Sequence, residues 1–524
     1  MKRRWLVPGA LLFPLALLAA PLHAQSKAAI VAQAYIAGLD YDDARRALAA
    51  ADGDDLAVAL ERARLAVYEL DCDGATAILS RPELLKTSAG DELADIARGC
   101  QRVTAELVTD VDPEREIEIR WQDENDRALA PLAFDTVARA RDRLTRDLGV
   151  DWPLPTRIVV VRDLLSLSAM TGLPYKSAQT TGTVAVAKWG RVTLLSPRAS
   201  QHGYPWQDTL AHELTHLAVT RASRDRAPLW LQEGIAKREE VRWRSAGPFD
   251  DRPPADAVVQ RGLALGLGLP IDKLGPSIAM LPSADAAMVA FAEVTSFVHF
   301  YADSEGEEAL PKLLRELKIG QPPDRALLAA SGTERKAWDA KWRAHIAARP
   351  KEPLPALFGV DGERVDAARL RDLRDRTRLA ELLLGRGSAN APAALIELDR
   401  IEMDSAPVSQ ETQDRASGDP SLRWLRARSL EEAGRRKEGE PLVADPAQVM
   451  APYGPWWAIR GRWARLDGDE TTANASFVEA IANDPFDSEA ACETVDSSAS
   501  PADASKRPLC EAARGRGEPV FGGD

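Results

Sequence analysis

The sequence predicts an α+β domain flanked on both sides by all-α regions built from helical repeats. Two observations support this fold class. Between about residues 112 and 197, short apolar runs with the two-residue alternation of strands surround one amphipathic helix, and helical periodicity then continues to about residue 348. Residues 28–105 and the chain beyond about residue 366 are rich in alanine and leucine with helical periodicity alone. We therefore expect domains at 25–110, 111–348 and 366–524.

The elements of the middle domain can be predicted in order. EIEIRW (116–121) alternates like a strand, and LAFDTVARARDRLTRDLG (132–149) has the pattern of an amphipathic helix. RIVVVRD (157–163) predicts a second strand. GTVAVAKWGRVTLLSP (182–197) predicts a hairpin or a strand pair with Gly190 at the turn. A sheet followed by helices is typical of α+β domains.

The two ends of the chain and the joint before the last region have distinct compositions. Residues 1–24 combine a basic start with an apolar run and small residues before Gln25, which predicts a cleaved signal peptide and a periplasmic or secreted protein; an uncleaved membrane anchor is the alternative. No later segment is apolar for long enough to predict a membrane span. ARPKEPLPALFGVDG (348–362) is Pro-rich, so we expect a linker over 349–365.

Charge and cysteine spacing limit the classes of partner and site. The net charge is −13 without a long basic run, which argues against nucleic acid as a partner. The four cysteines form two sequence-local pairs, and in an exported protein the economical interpretation is two structural disulfides, Cys72–Cys100 and Cys492–Cys510. No C-x-x-C spacing is present, so a cysteine zinc site is not predicted.

Repeats are indicated at both ends of the chain. YDDARRAL (41–48) and CDGATAIL (72–79) look like one degenerate unit repeated within 25–110. Over 423–486, small and aromatic residues fall at the spacings of a repeat of two helices. These are Trp457, Gly461, Gly468, Ala473, Phe477, Ala480 and Pro485. The pattern resembles tetratricopeptide repeats, and this resemblance implies a surface that docks partner proteins; a helical scaffold without a partner is the alternative.

The candidate catalytic and metal-binding residues lie in residues 211–236, AHELTHLAVTRASRDRAPLWLQEGIA. As a helix, residues 209–219 place Leu210, Leu214, Leu217 and Ala218 on one stripe that would face the core. His212 and His216, spaced i and i+4, share the opposite side with Glu213 beside them. Two imidazoles aimed at one point bind Zn²⁺, and the adjacent glutamate can take a proton from a water that the metal activates.

A catalytic zinc needs a third protein ligand. PLWLQEGIAKREE (228–240) predicts a helix started by Pro228, in which Glu233 follows His216 by 17 residues. That length allows a helix end, a turn and an antiparallel return, which would leave the fourth position for water. Two surface histidines on an ordinary helix, and a structural or inactive zinc site, are the alternative interpretations.

At these residues the sequence resembles the gluzincin metallopeptidases, in the group called peptidase MA-like domains. GRVTLLSP, HELTH, PLWLQEGIA and the later helix 290–320 carry the resemblance, which covers about 115–346. It implies a zincin-like fold, a peptide or protein substrate, His212, His216 and Glu233 as zinc ligands, and Glu213 as general base. It also implies that GRVTLLSP lies at the sheet edge beside the metal, where it could hold an extended peptide.

One residue departs from the family pattern. Relatives often carry tyrosine where Phe291 stands, and phenylalanine cannot donate a hydrogen bond to the tetrahedral oxyanion. Losing one such donor typically costs about 10²–10³ in rate. The candidates to replace it are Tyr301, His299, Tyr204 and His202. Each also has a structural interpretation, as a core residue, a packing residue or a loop contact.

The sequence therefore predicts an exported zinc metallopeptidase with helical-repeat flanks. The alternative is a non-catalytic zinc-binding scaffold whose repeats bind partner proteins. Phe291 favours the scaffold, and the intact HELTH favours the enzyme.

Overall fold

The computed structural model describes residues 26–200, 202–247, 250, 253–274, 278, 281, 284–350, 367–404, 419–449, 452–496 and 507–514. The expected signal peptide at 1–24 lies outside these residues, as does the expected linker apart from residues 349 and 350. Most of the described chain is helical, with one small mixed sheet. No helix among these residues has both the length and the apolar character needed to cross a membrane.

The α-helices are numbered in chain order. They are α1 Lys27–Ala37, α2 Tyr41–Ala49, α3 Leu56–Tyr68, α4 Cys72–Leu79, α5 Pro82–Leu85, α6 Ser88–Thr104, α7 Ala130–Leu148, α8 Leu164–Thr171, α9 Tyr175–Thr181, α10 Trp206–Ser223, α11 Leu229–Glu239, α12 Ala255–Ala264, α13 Ala284–Glu305, α14 Ala309–Lys318, α15 Pro323–Ser331, α16 Arg335–Ala348, α17 Ala367–Leu384, α18 Ala391–Asp404, α19 Pro420–Glu432, α20 Arg436–Val443, α21 Gly454–Leu466, α22 Glu470–Asn483, α23 Ser488–Asp496 and α24 Arg507–Arg514. Short 3-10 helices lie at Glu124–Leu129, Pro197–Ala199, Ile271–Lys273, Ser388–Asn390 and Pro446–Gln448.

Five strands form the sheet in the order β1-β2-β3-β5-β4. They are β1 Val108–Asp112, β2 Ile117–Trp121, β3 Thr156–Val161, β4 Ala185–Lys188 and β5 Arg191–Leu195. The inner pairs β2/β3 and β3/β5 are parallel, whereas β1/β2 and β4/β5 are antiparallel. The predicted strands and the hairpin with Gly190 at its turn are confirmed, and β1 is a strand that the sequence patterns did not indicate.

The sheet carries the helices that hold the site. The inward residues of β2, Ile117, Ile119 and Trp121, are fully buried, and β3 and β5 are buried along almost their whole length. Continuous burial of this kind fits inner parallel strands that are covered on both faces. Helix α10 packs against α7 and against β4 and β5, so the sheet fixes the position of α10.

The N-terminal helices attach to the back of the β4–β5 hairpin. Arg191 on β5 is fully buried, and its guanidinium donates to the carbonyl oxygens of Val67 at 2.6 Å and Met170 at 3.4 Å. The hydroxyl of Tyr41 donates to the carbonyl oxygen of Gly190 at 3.4 Å. The bonds from Arg191 to Val67 and from Tyr41 to Gly190 therefore join the N-terminal helices to the sheet.

The C-terminal helices form sequential hairpins, of which α21 and α22 make the most extensive contact. Most residues of the predicted repeat pattern are buried between these two helices and their neighbours; they are Trp457, Gly461, Ala473, Phe477 and Ala480. The small residues allow close approach of the helices and the aromatic rings fill the remaining space. These residues therefore pack the hairpin together, while their assignment to tetratricopeptide repeats stays a prediction.

Candidate metal centre

Helix α10 presents the two histidines to a cleft because its other face is buried. Leu210, Leu214 and Ala218 are fully buried and Leu217 is 4% exposed, so this stripe anchors the helix as predicted. His212 and His216 lie on the opposite side, each with a small part of the ring exposed. Their Nε2 atoms are 3.2 Å apart.

Helix α11 brings the third side chain back to this pair. It begins directly after Pro228 and packs on α13, where Gly234 allows an unusually close approach. A Cβ at Gly234 would lie 2.6 Å from the carbonyl oxygen of Val294 and 2.4 Å from a methyl group of Val298. This packing fixes the backbone of α11 next to Glu233. Glu233 Oε2 lies 3.5 Å from the Nε2 atoms of both histidines.

The three atoms have the separations that a tetrahedral zinc site requires. With metal–ligand bonds of about 2.0–2.2 Å, two ligand atoms of a tetrahedron lie about 3.4 Å apart. The His212–His216, His212–Glu233 and His216–Glu233 distances are 3.2, 3.5 and 3.5 Å. Two imidazoles and one carboxylate are also the ligand set of a catalytic zinc, so these residues could hold the ion and leave a fourth position open.

Glu213 is the other carboxylate beside the histidines. A carboxylate oxygen of Glu213 and one ring nitrogen of each histidine lie within 4.8 Å of one another, so His212, Glu213 and His216 form a second possible set of ligands. However, Glu213 is oriented by the sheet, because its Oε2 accepts a hydrogen bond from the backbone N–H of Ala187 at 2.5 Å. This bond ties one oxygen of the carboxylate to β4.

The electrostatics of the cluster favour a cation. Burial lowers the pKa of His212, but hydrogen bonds to Glu233 and Glu240 outweigh burial and raise that pKa to about 10. Burial raises the pKa of Glu233, but the two histidines outweigh it and hold that pKa well below its usual range. Burial raises the pKa of Glu213. Carboxylates that stabilise protons on two imidazoles also stabilise a metal ion that replaces those protons.

Glu240 supports His212 and was not recognised in the sequence. Its Oε2 lies 3.0 Å from Nδ1 of His212, while its other oxygen pairs with Lys237. Burial raises the pKa of Glu240, but Lys237 and His212 lower it to about 2. Glu240 follows Glu233 by two helical turns, so the i, i+7 spacing was the signal that could have identified it. A carboxylate on the far ring nitrogen fixes the tautomer and the orientation of a metal ligand.

We expect Glu240→Gln to lower zinc affinity by about 10–100-fold, because the amide is a weaker partner for the His212 N–H. Competition with a chromophoric chelator measures this change. Glu239→Gln is not a suitable control, since Glu239 is buried among Asp147, Arg238 and Arg242. Glu316→Gln is suitable and should leave the affinity at its wild-type value, because Glu316 is a half-buried residue of α14 that does not line the cleft. Unchanged affinity in Glu240→Gln would show that this carboxylate does not support the site.

The four candidates for oxyanion stabilisation are placed differently. His299 lines the cleft, as Phe291 does, and is exposed, so the alternative interpretation of His299 as a buried core residue is wrong. Tyr301 is fully buried, with its hydroxyl 3.4 Å from the carbonyl oxygen of Ala309. The hydroxyl of Tyr204 donates to the carbonyl oxygen of Leu195.

His202 packs against the C-terminal region. Its ring centroid is 5.5 Å from that of Trp424 and 5.3 Å from that of Tyr453. Tyr301, Tyr204 and His202 therefore do not line the described part of the cleft, because tertiary contacts hold each of them elsewhere. Outside the cleft, Cys72 is joined to Cys100 and Cys492 to Cys510.

The cleft has a volume of about 1570 Å³ and runs along β4. The sheet edge beside the cluster is β4, Ala185–Lys188, and not GRVTLLSP, which forms the next strand inward. The expectation that GRVTLLSP forms this edge is therefore wrong. The reason is the hairpin, since β4 pairs with the outer side of β5 and covers it.

Comparison with known protein families gives a match over the part of the chain that holds this cluster. Residues 138–348 match the family model of the Peptidase MA superfamily. The matched range contains α10, α11 and α13, and thus both histidines, both glutamates and Phe291, but not β1, β2 or the N- and C-terminal helices. No curated protein matches the chain. The part of the chain that holds the cluster is thus similar to a superfamily of metal-dependent peptidases.

Proposed function

We propose that this protein is an exported, zinc-dependent metallopeptidase of the gluzincin type. The observation that carries the proposal is the triangle of His212, His216 and Glu233, with the Glu213 carboxylate beside it in an open cleft. Zn²⁺ bound by these three side chains supplies a Lewis acid that acidifies water and polarises a carbonyl group. The superfamily match over 138–348 supports the same class of chemistry.

The residues of the chain would then divide the work of peptide hydrolysis. Glu213 takes a proton from the attacking water and passes it to the leaving amine. Desolvation raises the pKa of Glu213, which brings this carboxyl closer to the pKa that a general base needs near neutral pH. The N–H of Ala187 fixes one oxygen of Glu213, and the other oxygen remains for proton transfer. Water adds across the amide bond, and the products are a carboxylic acid and an amine.

The edge strand supports a polypeptide as the substrate. Ala187 directs its N–H away from β5 and towards the cleft, so the outer edge of β4 lies beside Glu213. An extended peptide can pair with such an edge through main-chain hydrogen bonds. Export is supported by the composition of residues 1–24 and by the two joined cysteine pairs, and the periplasm is the compartment that we propose.

The second candidate function is a zinc-stabilised scaffold whose tetratricopeptide-like helices bind partner proteins. Phe291 favours it, since this residue lines the cleft without a group that can donate to an oxyanion. If the protein is a peptidase, His299 is the candidate hydrogen-bond donor to the oxyanion that lies in the cleft.

Zinc removal tests the proposal. We expect the purified protein to contain about one zinc per chain, to cleave members of a mixed peptide library, and to lose cleavage on chelation and regain it on zinc addition. Elemental analysis and mass spectrometry of the library give the two readouts. Zinc without cleavage would favour the scaffold, and cleavage that survives complete zinc removal would contradict the proposed mechanism.

A further inference from the structure

Helix α22 of the C-terminal region forms one wall of the cleft that holds the metal cluster. Val478, Glu479, Ala482 and Asn483 line it, together with Pro452 from the segment before α21. The cluster and β4 line other parts of the same cleft. The cleft therefore combines the domain that resembles a peptidase with the helical repeats, which lie outside the range that matches the superfamily.

This wall is held directly against the loop that leads into α10. Gly203 has a φ of +66°, and a Cβ at Gly203 would lie 2.1 Å from the carbonyl oxygen of Asn483. In the same loop, the guanidinium of Arg198 lies 5.6 Å from the ring centroid of Phe486. Backbone contact at the end of α22 and a cation–π contact just beyond it fix the wall relative to the histidines.

Glu479 gives the wall an excess of negative charge. Its carboxylate forms no ion pair with the described residues, and the nearby Arg244 is already paired with Asp208 at 2.6 Å and Asp250 at 2.7 Å. These four groups all line the cleft and comprise three carboxylates and one guanidinium. Burial raises the pKa of Glu479, as expected for a carboxylate that lacks a counter-ion of its own.

Asn483 adds an unmatched acceptor one turn further along α22. The residue is 4% exposed, its Nδ2 donates to the carbonyl oxygen of Glu479 at 2.9 Å, and its Oδ1 has no hydrogen-bond partner among the described residues. Because this oxygen is itself buried, it adds negative potential behind the wall and is not a direct contact for a ligand. Val478, which is 54% exposed, offers apolar surface beside Glu479.

We propose that α22 is a substrate-recognition wall on which Glu479 binds a lysine or arginine side chain of an extended polypeptide. A basic side chain supplies a positive charge and hydrogen-bond donors for the Glu479 carboxylate, and its methylene groups can pack on the exposed surface of Val478. The cleft volume of about 1570 Å³ exceeds the roughly 300–1,000 Å³ of ordinary small-molecule pockets. The inference rests on the proposed function, because it names the substrate class of the same cleft.

Matched peptides test this recognition. In a set of decapeptides, one arginine is moved through successive positions, and each peptide has a partner in which neutral, isosteric citrulline replaces that arginine. We expect wild type to prefer arginine at one position, and Glu479→Gln to lower the arginine-to-citrulline ratio of kcat/KM there by about tenfold. Glu479→Lys should abolish the preference and favour glutamate at the same position.

The control variant is Glu470→Gln in the first turn of the same helix. The Glu470 side chain is 59% exposed, pairs with Arg465 and is not among the residues that line the cleft, so the ratio should stay at its wild-type value. Equal ratios in wild type and Glu479→Gln would overturn the inference. If wild type cleaves no peptide, the proposed function fails, and binding of the same peptides measured by fluorescence anisotropy tests the recognition by Glu479. A preference for arginine that is lost in Glu479→Gln supports this recognition. Equal binding of arginine and citrulline peptides overturns it.

Discussion

Glu213→Gln is expected to lower peptide cleavage by about 10²–10⁴-fold while zinc content stays near one per chain. Glutamine has the same size as glutamate, and its carbonyl oxygen can still accept the hydrogen bond from the N–H of Ala187. The side chain therefore keeps its position beside His212 and His216. The change removes the ability to take a proton from water, since an amide has no basic oxygen near neutral pH.

The comparison requires single-turnover and steady-state rates on one peptide, with zinc measured in the same preparations. A fall in kcat at equal zinc content assigns proton transfer to Glu213. Wild-type rates in the variant would exclude Glu213 as the base. Loss of zinc together with activity would instead show that Glu213 is a zinc ligand. This alternative exists because the ligand atoms of His212, Glu213 and His216 lie within 4.8 Å of one another.

The parts of the site that follow helical periodicity could be predicted from the sequence. The buried stripe of Leu210, Leu214, Leu217 and Ala218 fixes which face of α10 points to the core, and this places His212 and His216 on the other face. The approach of Glu233 to both imidazoles follows from the length of the turn and from the start of α11 after Pro228. These features depend on about thirty consecutive residues and on the periodicity and end signals of two helices.

The features that depend on distant contacts could not be predicted. Tyr301 and Tyr204 have the right chemistry for an oxyanion donor, but their hydroxyl groups contact the carbonyl oxygens of Ala309 and Leu195. The resemblance implies that GRVTLLSP forms the sheet edge, whereas β4 forms it, and the pattern of a single strand does not encode strand order. The wall formed by α22 depends on contact between Gly203 and Asn483, which no local pattern indicates.

The same limit applies to the boundary between domains. A pattern of helical repeats after a Pro-rich segment suggests a separate docking module, and its spacing did identify residues that pack between α21 and α22. Yet α22 also faces the metal cluster across the cleft, and the loop before α10 carries the backbone contact that holds it there. The C-terminal helices and the site are therefore coupled through structure, so a truncation before α17 would remove a wall of the cleft.

Glu233→Gln is expected to lower zinc affinity by more than roughly 100-fold and to abolish cleavage. A loss of roughly 100-fold is the upper limit when only a hydrogen-bond partner of a ligand is removed, whereas this change removes a ligand. The carboxylate oxygen that lies 3.5 Å from both histidine Nε2 atoms is replaced by a neutral amide, which is a poor zinc ligand. Zinc content after dialysis and the affinity measured by chelator competition give the result directly. Cleavage at saturating zinc shows whether residual activity follows occupancy.

Glu233→Gln and Glu213→Gln are controls for each other. Each removes one carboxylate charge beside the same two histidines without changing the size of the side chain, so a general effect of charge on zinc affinity would appear in both. If Glu233 is the ligand and Glu213 the base, Glu233→Gln loses the metal, whereas Glu213→Gln keeps the metal and loses the reaction. The reverse pattern would make His212, Glu213 and His216 the ligand set. The hydrogen bond from Ala187, which already holds one Glu213 oxygen at the sheet edge, is the reason to expect the first pattern.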